Sequence, residues 1–157
     1  MIYLCRACQR LGACRLGLTS ERMSDDGVME VTLSSSRENE AGVDIAHGGW
    51  TAAVMDDLLG HLGAAQGVFA VTASLTVEFL KPVPIERPLL AKAWCEKSEG
   101  GRRLHRAELT LAATGAVLAR GQGVFVERDR THYDRHRQWL ASEDELSGKA
   151  SPGDAAP

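Results

Sequence analysis

Residues 50–65 constrain the fold of this chain more than any other segment, because they form one long and almost wholly apolar stretch. Their only polar side chains are those of Thr51, Asp56, Asp57 and His61. A helix that is apolar on most faces is normally buried, so the rest of the chain is expected to cover it. A buried carboxylate is costly, and the two aspartates therefore call for a reason.

The tripeptide His47-Gly48-Gly49 stands directly before this helix. The first N–H groups of a helix have no partner within the helix and lie at the positive end of its dipole. A developing oxyanion is therefore expected to bind at Gly48 and Gly49, with Asp56 further along the same helix. The alternative is that the glycines only form a turn and that an aspartate pairs with His61.

Alternating apolar and polar residues predict one strand before the helix and four strands after it. A polar loop at residues 35–46 joins the first strand to the helix. Short turns between the later strands require antiparallel pairing. The predicted fold class is α+β, with a curved antiparallel sheet wrapped around one long central helix. The predicted strands are residues 28–34, 71–79, 89–98, 102–113 and 116–127.

A length of 157 residues suits one domain with its own hydrophobic core. We expect residues 1–26 to form an irregular, cysteine-containing lead and residues 27–128 to form the domain. A surface helix is predicted at residues 129–141, followed by a disordered tail at residues 142–157.

The formal net charge of −3 comes from the tail, since residues 142–157 carry four acidic side chains and one lysine. The remaining chain is formally neutral and has no basic cluster, which argues against a nucleic-acid partner. No apolar run approaches the roughly 18 residues of a membrane span, and the first residues lack the apolar core of a signal peptide. We expect no membrane association and a cytoplasmic location.

Three of the four cysteines lie in the N-terminal lead at residues 1–26. The spacing of Cys5 and Cys8, followed by Cys14, is half of a zinc knuckle, for which His132 or His136 is a candidate fourth ligand, but a second cysteine pair is missing. Free thiols are expected in a cytoplasmic protein, so we predict no metal and no cofactor. The four cysteines are Cys5, Cys8, Cys14 and Cys95.

Two consecutive motifs cover the start of the helix and the strand that follows it. They are His47-Gly-Gly-x-x-Ala52-x-x-x-Asp56-x-x-x-Gly60 and Val71-Thr72-Ala-Ser-Leu-Thr-Val-Glu-Phe-Leu-Lys81-Pro82-Val-Pro84. With these motifs the chain resembles the hotdog-fold acyl-CoA thioesterases of the phenylacetate-pathway type, over roughly residues 27–127. The resemblance implies hydrolysis of an acyl-CoA substrate to the free acid and CoA, without a metal. It also implies a homodimer with two active sites at the subunit interface, often paired again as a dimer of dimers.

The resemblance also implies a role for each matching residue. The Gly48 N–H stabilises the oxyanion, and His47 shapes the turn. Asp56 is the catalytic acid, acting as nucleophile or as general base on water. Thr72 positions the water or the acid, and Gly60 leaves room for the thioester.

Further residues are expected at the substrate. Gly49 lies beside the oxyanion, Trp50 narrows the acyl end, and Lys81 is a candidate for contacting the CoA phosphates. The other candidates for the phosphates are Arg87, Arg102, Arg103 and Arg106.

One feature of the family is missing. Many relatives carry an asparagine or glutamine about six residues before the histidine, where this chain has Ala41, with Asn39 nearby.

Two alternatives to a thioesterase stay open. A hotdog hydratase or dehydratase would use His47 and Asp56 for proton transfer, and a non-catalytic acyl-CoA-binding module would use the cysteines as a metal or redox sensor.

Overall fold

The computed structural model describes residues 4–129 and 131–147. The chain divides into two compact units, Met1–Glu127 and Arg128–Pro157. The described helices include none that is long and apolar enough to cross a membrane.

The first unit contains a six-stranded antiparallel sheet in the order β1-β2-β6-β7-β8-β5. Strands β1 and β5 are therefore its two edges. A second sheet is a small hairpin of β3 and β4, which follows a 3₁₀ turn at Arg37–Asn39. The strands are β1 (Leu18–Met23), β2 (Met29–Leu33), β3 (Glu40–Gly42), β4 (Ile45–Ala46), β5 (Ala70–Phe79), β6 (Leu89–Glu99), β7 (Arg102–Leu111) and β8 (Val117–Glu127).

The described part of this unit contains two α-helices, the short α1 (Arg6–Leu11) and the long α2 (Gly48–Ala65). Helix α2 packs on one face of the sheet against β5, β6, β7 and β8. Its apolar residues Val54, Met55 and Leu58 are fully buried. The α+β prediction of an antiparallel sheet around one long helix is confirmed.

Glycines in β8 allow α2 to approach the sheet closely. A Cβ at Gly121 would lie 2.9 Å from the sulfur of Met55, and one at Gly123 would lie 3.2 Å from a methyl group of Leu59. Side chains at these two positions would push the helix away from the sheet.

The sequence missed strand β1, which lies in the lead that was predicted to be irregular. In this edge strand only the side chain of Leu18 is fully buried. The sequence of β1 therefore lacks the alternation of apolar and polar residues from which the other strands were predicted. The polar loop at residues 35–46 is also more ordered than predicted, since it contains the 3₁₀ turn and the β3–β4 hairpin.

The second unit contains helix α3 (His132–Ser147), in which no residue is buried. Ion pairs of Arg135 with Asp129 and of Arg137 with Asp134 support its first turns. The helix continues past residue 141, where the sequence predicted a disordered tail, as far as Ser147. The rest of that predicted tail, residues 148–157, lies outside the described residues.

Candidate active site

His47 forms the N-cap of α2 and holds the backbone at the start of the helix. Its Nδ1 accepts a hydrogen bond from the N–H of Gly49 at 2.8 Å. A Cβ at Gly49 would lie 2.9 Å from that nitrogen, so the ring can reach the backbone only because residue 49 is glycine. The N–H of His47 in turn donates to the carbonyl oxygen of Asn39 at 2.7 Å, which ties the turn to the preceding loop.

Asp56 lies two turns further along α2, on the flank that faces the edge strand β5. The hydroxyl of Thr72 in β5 donates to a carboxylate oxygen of Asp56 at 2.8 Å. Asp56 is half-buried and Thr72 is exposed. The structure thus brings together the two residues for which the sequence predicted the acid and its positioning group.

Asp57 lies on the other flank of α2. Consecutive residues of a helix point about 100° apart, so the two aspartates cannot face the same group. Burial raises the pKa of Asp57, against the opposing influence of the His61 charge. This carboxyl therefore resists ionisation more than an aspartate in water.

His61 is also on this flank, and its partner is Glu21 of β1. The His61 Nδ1 and a Glu21 carboxylate oxygen are 2.5 Å apart, and the two side chains are only 8% and 9% exposed. Burial alone would lower the pKa of His61, but the hydrogen bond to Glu21 and the nearby Asp57 charge raise it overall. The sequence offered an aspartate as the partner of His61 and did not single out Glu21.

The predicted substrate-binding residues lie in different environments. Trp50 is buried, and its indole N–H has no hydrogen-bond partner among the described residues. Gly60 is half-buried, and a Cβ there would lie 3.6 Å from the ring of Phe125. Lys81 is exposed just after the end of β5.

Two further residues lie near the predicted oxyanion site. The ring of Phe79, at the end of β5, would be 3.6 Å from a Cβ at Gly48, although 59% of Phe79 is exposed. Asn39 contacts the His47 turn through its carbonyl, while its side-chain amide donates to the Ser36 hydroxyl at 3.1 Å. Ala41 is exposed in β3. Sequence analysis did not single out Phe79, because the alternating pattern of residues 71–79 indicates only that it belongs to a strand.

Some candidates for CoA contacts are already engaged in ion pairs. Arg103 donates to Glu127, and Arg106 donates to Glu96, each at 2.8 Å. Within residues 4–129 and 131–147, no group of three or more His, Cys, Asp or Glu side chains is arranged to hold a metal ion.

Comparison with known proteins adds a family match. Residues 44–111 match the model of the Thioesterase superfamily. This segment contains the His47-Gly48-Gly49 turn, all of α2 and the Thr72 strand. No curated protein matches the chain significantly in sequence.

Several solved structures are similar to this chain. The PaaI protein of the Escherichia coli phenylacetic acid degradation operon is 22% identical, with a TM-score of 0.67, over 78% of this chain and 85% of that one. A hypothetical thioesterase from Streptococcus pneumoniae TIGR4, solved with coenzyme A, is 18% identical, with a TM-score of 0.64, over 69% and 84% of the two chains. Variants of the pneumococcal protein, one with an aspartate and one with a threonine replaced by alanine, are also similar.

A third relative, a thioesterase superfamily protein, is 24% identical with a TM-score of 0.63. The match covers 68% of this chain but only 54% of that longer protein. The solved structures show that the chain has the hotdog fold, and the match to the Thioesterase superfamily is confined to residues 44–111.

Proposed function

We propose that this protein hydrolyses an acyl-CoA thioester to the free acid and CoA, with Asp56 as nucleophile or as general base on water. The observation that carries this proposal is the 2.8 Å hydrogen bond from Thr72 to Asp56. It fixes a half-buried carboxylate at an open sheet edge and leaves its second oxygen for chemistry. A thiolate is a good leaving group, so a carboxylate, an oxyanion site and water suffice for hydrolysis.

The backbone N–H of Gly48 supplies the oxyanion site in this proposal. The first N–H groups of a helix lack intrahelical partners, and His47 already accepts the N–H of Gly49. Gly48 is exposed at the positive end of the α2 dipole, where negative charge is stabilised. The engagement of the His47 Nδ1 in capping also disfavours a hydratase in which this histidine transfers protons.

The complete site requires two protomers. Gly48 and Asp56 are eight positions apart on α2, which corresponds to about 12 Å along the helix axis. A carbonyl held between a nucleophile and a hydrogen-bond donor spans only about 6 Å. Gly48 of one protomer therefore acts together with Asp56 of its partner.

Strand β5 is the edge that brings two protomers together in the proposed homodimer. It carries Thr72 and has a free edge next to the Asp56 flank of α2. The exposed side chains of Phe79 and Leu80 lie at one end of the strand and would gain burial in a dimer. Pairing of β5 with its symmetry mate closes the edge, and a further pairing of dimers is compatible with this arrangement.

The relatives support acyl-CoA as the ligand and Asp56 with Thr72 as the reactive pair. The pneumococcal relative was solved with coenzyme A. The aspartate and threonine replaced in its variants are 16 residues apart, which is the separation of Asp56 and Thr72. The cytoplasmic location expected from the sequence stays a prediction.

The test is a panel of short, medium, long and aromatic acyl-CoAs, with the free CoA thiol measured by a chromogenic reagent. We expect thiol release from at least one acyl class, and the preferred class identifies the substrate. Crotonyl-CoA is included because hydration of its double bond lowers ultraviolet absorbance without releasing a thiol. Hydration alone would select the hydratase, and tight binding without turnover would select the binding module.

A further inference from the structure

The proposed thioesterase chemistry does not use the cysteines of the N-terminal segment, although two of them meet on one helical turn. Cys5 is the N-cap residue of α1, and Cys8 is the third residue within this helix. The N–H of Gln9 donates to the Cys5 carbonyl at 2.9 Å and closes the turn around them. The side chain of an N-cap residue faces the third residue of its helix, so the side chains of Cys5 and Cys8 are neighbours. A disulfide needs the two Cβ atoms about 3.5–4.5 Å apart, which a small adjustment of the turn allows.

The two thiols differ in accessibility. Cys8 is 3% exposed, and its sulfur accepts the N–H of Arg15 at 3.4 Å. Cys5 is half-buried and therefore open to a small reagent. This is the arrangement of an accessible attacking thiol with a protected second thiol behind it.

Ionisation separates the two thiols in the same sense. The backbone N–H and the thiol of Cys8 lower the pKa of Cys5, and the Arg15 charge adds to this effect. The N–H of Arg15 favours the Cys8 thiolate, but burial and the hydrogen bond with Cys5 outweigh it and raise the pKa of Cys8. Since the thiolate is the nucleophile, Cys5 reacts first.

We propose that Cys5 and Cys8 are a redox site at which a small-molecule disulfide oxidises the two thiols to an intramolecular disulfide. The Cys5 thiolate attacks one sulfur of the small disulfide, which forms a mixed disulfide and releases one thiolate. Cys8 then loses its proton to solvent, attacks the Cys5 sulfur and expels the second thiolate. The protein loses two electrons and two protons, and the small disulfide becomes two thiols.

The redox site is separate from the proposed thioester site. The Cys5 charge contributes to the raised pKa of His61, which places Cys5 on the Glu21 flank of α2. Asp56 and Thr72 occupy the flank at the opposite sheet edge. Oxidation of the thiols can therefore be measured without any substrate, and its failure would leave the thioesterase proposal untouched.

The test exposes the reduced protein to glutathione disulfide under native conditions, followed by an acid quench and mass mapping of the thiols. We expect wild-type protein to form the Cys5–Cys8 disulfide, while Cys14 and Cys95 stay reduced. The Cys8→Ser variant is expected to stop at a glutathione adduct on Cys5. The Cys5→Ser variant is expected to react at least about tenfold more slowly, because the accessible thiolate is gone. The Cys14→Ser and Cys95→Ser variants serve as controls that keep the wild-type behaviour.

Two measurements on wild-type protein keep the proposal falsifiable even if a variant fails to fold. The first is the pairing itself, since no disulfide, or one between Cys8 and Cys14, would overturn it. The second is the alkylation rate of Cys5 against that of Cys95, which is half-buried as well. A Cys5 rate no higher than that of Cys95 would also overturn the proposal.

Discussion

Asp56 and Asp57 show how neighbouring identical residues acquire different environments. Asp56 accepts the Thr72 hydroxyl at the β5 edge, whereas Asp57 is held on the opposite flank, where burial raises its pKa. The helical period alone predicts that only one of them faces a given group. Which of the two faces the β5 edge depends on where α2 begins, and the His47 cap fixes that start.

Replacement of each aspartate by asparagine tests this assignment. Asp56→Asn keeps the side-chain volume but can neither attack nor accept a proton, so kcat should fall by about a hundredfold to ten-thousandfold. Asp57→Asn should leave kcat close to the wild-type value, since burial already disfavours the charge at that position. Thiol release from the best acyl-CoA, together with circular dichroism of both variants, checks the prediction. A dead Asp57→Asn beside an active Asp56→Asn would contradict the assignment.

Thr72→Ala removes the hydrogen bond to Asp56 and should lower kcat by about tenfold to a hundredfold. A hydrogen bond to a charged group contributes roughly 1.5–3 kcal/mol, which corresponds to that range. Thr76→Ala is the matched control, because Thr76 lies in the same strand but lines a pocket with Glu78 and Trp94 on the outer face of the sheet. Thr72→Ser should restore activity. Equal losses in Thr72→Ala and Thr76→Ala would show a general effect on β5 instead.

Helix α2 and the alternating strands were predicted well from the sequence, because the side chains of each element follow one period. Strand β1 was not predicted because its inward-facing Glu21 is polar and pairs with His61, 40 residues later. A local sequence pattern cannot predict a partner that lies so far along the chain. The capping of Gly49 by the His47 ring was equally hidden, since the sequence gives the residues but not the rotamer.

The Glu21–His61 pair joins α2 to β1 and should make stability depend on pH. The folded-state pKa of His61 is raised, so its contribution is fully present below the unfolded value of about 6.5 and is lost as pH rises through the folded value. We expect the free energy of unfolding of wild type to exceed that of Glu21→Gln most at about pH 6. Urea unfolding of both proteins up to about pH 9 should show this difference narrowing. A constant difference across that range would contradict the pair's proposed role.

The six-stranded sheet has two edges with different surroundings. The β5 edge adjoins Asp56 and Thr72, whereas the β1 edge adjoins the Glu21–His61 pair. The separation of Gly48 from Asp56 along α2 is a consequence of helix geometry, and the proposed site at the β5 edge is therefore shared between two protomers.

Complementation between two inactive variants is the direct test of the shared site. Gly48→Pro removes the proposed oxyanion N–H at the first helical position, where proline is well tolerated. The extended backbone of His47, with ψ of 137°, suits a residue that precedes proline. Gly48→Ala is the control, because it keeps the N–H and its Cβ makes ordinary contact with Phe79 at 3.6 Å.

The measurement is thiol release by a heterodimer of Gly48→Pro and Asp56→Asn chains, purified through two different tags after coexpression. Each homodimer should lose about a hundredfold or more in kcat. In the heterodimer, one of the two shared sites carries both changes and the other carries neither. We therefore expect about half of the wild-type activity per dimer. A heterodimer as inactive as the two homodimers would contradict the shared site, because the site would then lie within a single protomer.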